Sequence, residues 1–530
     1  MKQSPRINMA LFIGLAVILI IISGAAAFSA AAAPQYGGTF RTSMGPPRSL
    51  DPHMETYPQT SSITNNTNNR LIRWNKDMSG FELDLAESWR RIDNLTYEFK
   101  IHKGVRFQDI PPVNGRELTS ADIKYSIERA SGMYGKRARF KHKYYFEGKL
   151  ANIGTPDKYT VIFKTKEPYA PFLNYLASDW AAIVSKEVVD EFGDLRRKAI
   201  GTGPFMLKEF VRGSHITMLK NPNYFRKGFP YLDKIHIKIM RDPTSIISAF
   251  MAKELDTAGA YFFQIPTIKE KAPGAIITKR KSFHMWVLRT QPCTTTYEGL
   301  DAPFNNRKVR QALGMAIDKE KLLKLAWGGA GTVQVGTVPN FPPYSLTQAD
   351  QIEYNPEKAK KLLAEAGYPD GFSTQLLTWS ASYMTRPAQV VQEMLKKIGI
   401  NAELRLLEQA QYFNVIYKYK YPLALHVMTA GYDPDDWIDH YFGPHGHTTT
   451  YKWCNPKVWE LNEKQRKIID KDERVKVIQE IQRELMRDGT HTYLYTQDRF
   501  SVRWPYVHPN LYWHPNSPIM GEKIWLEKQK

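Results

Sequence analysis

Cysteine is nearly absent: two residues, Cys293 and Cys454, in a chain of 530. Two thiols cannot build a disulfide-stapled scaffold and are weak grounds for a metal site. In an oxidising compartment they can pair, which would restrain the unfolded chain by roughly 4–5 kcal/mol. They can equally stay apart, because sequence spacing does not set the Cα separation. Catalytic signatures are missing as well. No HExxH, GxSxG or Walker phosphate loop occurs, which removes the commonest metalloprotease, serine-hydrolase and nucleotide-hydrolysing readings. Gly201 and Gly203 are followed by Pro204 rather than Lys-Ser/Thr, so they mark a tight turn and not a phosphate cradle. Past Pro34 no apolar run approaches the ~20 residues that cross a bilayer. Tandem repeats are also lacking.

The first residues differ in kind from the rest. Lys2 and Arg6 precede an apolar run, Met9 to Ile22, and small residues follow from Ser23 to Ala33. Basic start, apolar middle and Ala-rich exit predict a signal peptide over residues 1–33, cleaved between Ala27 and Ala33; an uncleaved anchor is the alternative. No cysteine lies near that exit, which excludes lipoprotein processing. The net charge is +20, and with Lys2 and Arg6 removed 71 basic and 53 acidic residues leave +18. Such a balance suits nucleic acid, an acidic surface or an anionic ligand. The basic residues are spread along the whole chain, however. Clusters such as Arg196-Arg197-Lys198 and Lys279-Arg280-Lys281 are short and read as solvated faces. This argues against nucleic acid.

Hydrophobic periodicity supplies the elements. Phe283 to Leu288 is a short apolar, aromatic run with the character of a buried strand. After a loop with Pro292, Gly299 and Pro303, Asn305 and Asn306 offer caps for a helix with Val309, Leu313, Ala316 and Ile317 at helical spacing. Upstream, Tyr36–Arg41 reads as a strand, and Thr96–Ile101 alternates with period two. Thr119 and Ser120 cap a helix carrying Ile123, Ile127 and Ala130. Downstream, Asn355, Pro356 and Gly367 bracket a helix with Leu362, Leu363 and Ala366 inside. A strand at Thr374–Thr378, a helix at Ala388–Lys397 and a helix at Asp472–Arg487 stopped by Gly489 follow. Alternating strands and helices predict an α/β architecture.

Several of these stretches, in this order, resemble the family 5 extracytoplasmic solute-binding proteins, the peptide-binding components of ATP-driven importers and their relatives. The stretches are "YGGTFR…SLDPH" from Tyr36, "LAESW…YEFKIHKGVRFQD…LTSADIKYSIER" from Leu85, "GTGPF…NPNYF…PYLDKI" from Gly201, "PFNNRKVRQALGMAIDKEKLL" from Pro303 and "YNPEKAKKLLAEAGYPDGF" from Tyr354. The resemblance spans essentially the whole mature chain. It implies a two-lobed periplasmic binding protein type II-like fold, in the large variant with an extra subdomain in lobe one. Lobe one would take residues 34–283 with the subdomain at about 70–199, and lobe two residues 284–490. Residues 491–530 would return to lobe one. It implies a monomer in the periplasm that closes around one small solute and delivers it to an inner-membrane permease with its ATPase. No enzyme activity and no cofactor are implied.

The resemblance also points to site residues. Thr56, Tyr57 and Gln59 follow the SLDPH loop where peptide-binding members face the ligand. Thr429, Ala430, Gly431, Tyr432 and Trp437 lie in the segment "VMTAGYDPDDWIDHYF", which resembles the family's ligand-pairing backbone before a "DPxxF"-like turn. In peptide binders an Asp three residues before that turn anchors the free amine; here the position is Ala430. The family's peptide-lining Trp matches Gln409, after Glu408. Both departures argue against an ordinary free-amine peptide, because a methyl group cannot offset the desolvation of an ammonium. Trp379 joins Tyr57, Tyr432 and Trp437 as an aromatic wall suited to sugars or flat rings, while Trp286 reads as core. An oligosaccharide or opine-type solute is the alternative within the family. Outside it stand a secreted hydrolase using Asp433, Asp435, Asp436 and Asp439, and a polyanion binder. His445 and His447 could hold a metal, but a Gly-rich loop is the plainer reading; no metal is predicted.

Overall fold

The structure, a computed structural model, describes residues 33–55, 57–76, 78–134, 140, 142–290, 296–297, 300–301, 303–418, 420–429, 431–443, 455–508 and 519–527. The predicted leader up to residue 32, Thr56, Ala430, both cysteines, His445 and His447 lie outside the described residues. Among the described residues no helix is long and apolar enough to cross a membrane.

In the first lobe, Thr39–Met44 pairs in parallel with Lys234–Ile239, and His215–Lys220 and Phe205–Val211 complete a four-stranded sheet. An antiparallel sheet of Ala86–Arg91, Thr96–Ile101, Thr160–Thr165 and Leu150–Asp157 forms a subdomain. It has its own apolar cluster, which runs from Leu71 to Ile200 and is separate from the one around Phe40, Phe205, Ile237 and Phe250. The second lobe is built on a six-stranded mixed sheet. Its spatial order is Gly331–Val333, His491–Gln497, Met285–Thr290, Leu423–Met428, Phe372–Trp379, Ile400–Leu407. Every residue of Met285–Thr290 is buried, because its side chains feed two cores. Trp286 and Leu288 enter one, Met285 and Val287 the other. A strand covered on both faces shows no polar alternation.

The chain passes between the lobes through two adjacent crossovers. Ile276–Arg280 pairs with Arg499–Arg503 in the first lobe, and Met285–Thr290 pairs with His491–Gln497 in the second. Residues 281–284 and Asp498 therefore form the connection. The sequence reading places the return at residue 491, and here the structure corrects it. His491–Gln497 is buried at all seven positions and bonded to strands on both sides, so its ladder holds it in the second lobe. A second difference concerns the helix expected from Ala388. It spans Ser382–Lys396 with Pro387 inside it. Met384 and Pro387 are buried there, and that packing outweighs the lost backbone bond that makes proline look like a boundary.

Capping follows the sequence closely. Asn306, Asn355 and Asp433 each accept a hydrogen bond from a first-turn N–H, and Gly489 ends its helix in the left-handed region. The turn at Gly201 and Gly203 has a packing cause. A Cβ on Gly203 would stand 2.5 Å from the Thr67 carbonyl carbon and 2.6 Å from the Asn66 oxygen, both backbone atoms. Gly203→Ala is therefore expected to destabilise the first lobe by about 1–3 kcal/mol, read as a lowered midpoint in chemical denaturation. An unchanged midpoint would contradict the close approach.

Candidate functional site

The strand Leu423–Met428 ends at the seam between the lobes, and Thr429, Gly431 and Tyr432 lead from it into the helix Pro434–Phe442. Thr429 is held by Tyr441, whose hydroxyl donates to the Thr429 carbonyl at 2.9 Å and accepts from its N–H at 2.6 Å. The Gly431 N–H donates to the Asp436 carboxylate at 3.1 Å. Tyr432 is fully buried in the apolar cluster of the first-lobe subdomain, and its hydroxyl accepts from the Asp179 N–H at 3.3 Å. A second-lobe ring thus sits in a first-lobe core.

Beyond Tyr432 come four carboxylates, all at most 4% exposed. Asp433 takes both ends of Arg474 and the amide of Asn174. Asp435 accepts from Arg466 Nε at 2.7 Å, Gln465 at 2.7 Å and the Tyr175 hydroxyl at 2.8 Å. Asp439 pairs with Arg466 Nη2 at 2.9 Å. Among the described residues Asp436 has no ion pair; it accepts from Tyr144 at 2.6 Å and Tyr145 at 3.1 Å. Tyr144, Tyr145, Asn174 and Tyr175 belong to the first-lobe subdomain, so these bonds cross between the lobes. The Ala170 N–H to Arg466 carbonyl bond (2.7 Å) and the Lys467–Glu167 pair (2.7 Å) cross there too.

These environments push the carboxylates apart. Burial works against the Asp435 charge, but Arg466 outweighs it and holds this carboxyl below its ordinary range. For Asp436 burial dominates and pushes it up to about 6, against the opposing bonds from Tyr144, Gly431 and Tyr145. Burial also raises Asp439.

Facing this seam from the first lobe is the loop before the helix Pro58–Thr67. The Arg48 guanidinium lies 4.4 Å from the centre of the Tyr57 ring. Its nitrogens make no hydrogen bond or ion pair among the described residues. Tyr417, at the end of the second-lobe helix Gln409–Tyr417, has its hydroxyl pushed up chiefly by burial and also by Tyr57, against the lowering charges of Arg289 and Arg48. The Gln59 Oε1 is buried and has no hydrogen-bond partner among the described residues.

The remaining predicted residues scatter. Trp379 donates to Tyr383 at 3.2 Å and packs on Tyr412 and Phe413. Gln409 is exposed at the first turn of a helix capped by Glu408. Trp437 is fully buried in the lower core of the second lobe, and Trp286 stacks on Tyr495. The geometry thus joins Thr429, Gly431 and Tyr432 at the seam and stacks Arg48 on Tyr57. Trp437 belongs to packing. Sequence reasoning missed Arg48, Tyr144, Tyr145, Tyr175, Arg466 and Arg474. Only the Arg48 position, two residues before Leu50-Asp51-Pro52, carried a signal.

The family model for bacterial extracellular solute-binding proteins, family 5, middle region, matches residues 80–449. The chain belongs to this family. It is 31% identical over 405 residues to the glutathione-binding protein GsiB of Salmonella typhimurium, covering 74% of this chain and 73% of that one. To the oligopeptide-binding protein AppA of Bacillus subtilis it is 28% identical, with 99% of each chain covered. The periplasmic binding protein DppA of Helicobacter pylori, solved with a peptide, superposes with a TM-score of 0.78 at 25% identity. That match covers 93% of this chain and 99% of that one.

Two outcomes test the carboxylate cluster. Arg474→Ala leaves Asp433 buried and unpaired, so a loss of about 3–5 kcal/mol is expected in denaturation. A loss below 1 kcal/mol would mean the cluster is solvated. For Asp436 the sign runs opposite to a salt-bridged carboxylate. Its folded value, about 6, lies above the ordinary 3.8, so burial of the charge costs stability above pH 6 and that cost fades as pH falls toward 4. Buried His53, lowered to about 4, loses stability over the same fall, so the readout is a difference between variants. The advantage of Asp436→Asn over wild type should be larger at pH 8 than at pH 4.5, by up to roughly 3 kcal/mol. A difference that does not change with pH would refute the assignment.

Proposed function

We propose that the protein is the extracytoplasmic solute receptor of an ATP-driven importer, and that its solute is a peptide or peptide-like molecule with a negatively charged group. Family membership and the peptide- and glutathione-binding relatives support the first half. The observation that carries the second is the Arg48–Tyr57 pair of the first lobe: an exposed guanidinium, stacked on a ring, that makes no hydrogen bond or ion pair among the described residues. A carboxylate closing there would gain charge-assisted hydrogen bonds worth about 1.5–3 kcal/mol. Lobe movement about residues 281–284 and Asp498 provides the closure, and the solute drives it to the extent that it binds the closed state better. The predicted leader supports export to the periplasm. A membrane permease with its ATPase would receive the closed form.

A hydrolytic reading of the acidic helix finds no open carboxylate, since all four are buried and bonded. No covalent chemistry is therefore assigned.

The test is native mass spectrometry of the mature protein followed by titration with tripeptides offered as free acids and as C-terminal amides. The free acids are expected to bind about tenfold or more tightly than the amides, and Arg48→Gln should narrow that gap to within roughly threefold. Equal affinity for acid and amide in wild type would remove the charged-group assignment and leave the peptide reading standing. Binding of neutral oligosaccharides with no response to any peptide would remove both.

A further inference from the structure

A groove of about 460 Å³ lies on the first lobe, between the segment Arg197–Ile200 and the strand Phe205–Val211. That strand is the outer edge of its four-stranded sheet. The groove shares no residue with the site at the seam. Its volume falls within the range of about 300–1,000 Å³ typical of small-molecule sites. Arg197, Lys198, Lys208 and Arg212 surround it. All four are exposed, and none makes a side-chain hydrogen bond or ion pair among the described residues. Lys198 rests over the Phe192 ring at 4.9 Å. Glu209 is the only acidic side chain in the lining, and it is bonded to His215 at 3.0 Å. The floor is apolar: Ile200 is buried and Leu207 half-buried.

We propose that this groove binds the phosphate group of an anionic phospholipid and docks the first lobe on a membrane surface. Four unpaired cations around a concave, apolar-floored space present donors to a phosphate and a surface for the first carbons of its glycerol stem. The pattern is absent from the sequence as a run. Arg197 and Lys198 come from a loop, Lys208 and Arg212 from an edge strand and its turn, and only the fold brings the pairs together. The net charge, +20 for the whole chain and +18 without Lys2 and Arg6, draws the molecule toward any anionic surface, and the groove gives that attraction a face. Each cation near an anionic bilayer contributes roughly fivefold in affinity, and the attraction is screened within about 8–10 Å at ordinary salt.

The experiment is co-sedimentation of the mature protein with vesicles of phosphatidylcholine alone and with about one-third phosphatidylglycerol, at low and at physiological salt. The combined variant Arg197→Gln, Lys198→Gln, Lys208→Gln, Arg212→Gln is compared with a control of equal charge, Lys324→Gln, Lys361→Gln, Lys396→Gln, Lys397→Gln, on the second lobe. Wild type should bind only the anionic vesicles. The groove variant should lose at least roughly tenfold in affinity, and the control should stay within about twofold. Equal loss in both variants would mean general charge attraction and overturn the assignment. No binding of wild type to anionic vesicles would overturn it as well. Complete displacement from vesicles by soluble glycerol phosphate at concentrations that saturate the groove would reassign it to a free phosphate ester. Wild-type circular dichroism in the groove variant shows that the loss is not unfolding.

Discussion

The seam between the lobes depends on a charge problem placed at the start of one helix. Asp433, Asp435, Asp436 and Asp439 are buried within seven residues, and four carboxylates removed from water would repel one another and lose their hydration. Arg474 and Arg466 form ion pairs with three of them from neighbouring helices. The fourth, Asp436, is left to tyrosine hydroxyls from the other lobe and to the Gly431 N–H. The arrangement is demanding, because every donor has to be in place. In return it orients the backbone that leaves the sheet at Met428, and it ties that backbone to the subdomain.

This tie has a consequence for closure. Two backbone crossovers at residues 281–284 and Asp498 hold the lobes together, and the cross-lobe bonds to the acidic helix join them at a second place. Opening the seam would expose Tyr432, Asp433, Asp435 and Asp436 and break their bonds to Asp179, Asn174, Tyr175, Tyr144 and Tyr145. These bonds form a latch of the protein's own residues between the lobes. The subdomain supplies the first-lobe half of that latch. A solute need contribute only the difference that shifts the population.

Electrostatics divide the molecule. Acidic side chains at the seam are consumed internally, while Arg48 and the cations of the groove near Phe205–Val211 are exposed and make no hydrogen bond or ion pair among the described residues. These exposed cations lie on two different surfaces. A cation paired inside a protein is structural; one left without a partner beside a concave surface is available to a ligand.

Much of the fold was legible along the chain. Caps at Asn306, Asn355 and Asp433, the stop at Gly489 and the apolar run at Met285–Thr290 are local signals, set by backbone donors and by burial on two faces. The family motifs gave the order of the elements and the two-lobed plan. What the chain could not disclose was proximity. Tyr432 and Trp437 both read as aromatic wall, yet one fills the other lobe's core and the other its own, since burial depends on what packs above a residue. The acidic run showed no partners along the chain, because Arg466 and Arg474 lie some thirty to forty residues away and Tyr144 nearly three hundred. Local patterning determined where helices and strands begin and end. Only the tertiary structure decided which charges are paired and which remain free, because pairing is a matter of distance in space.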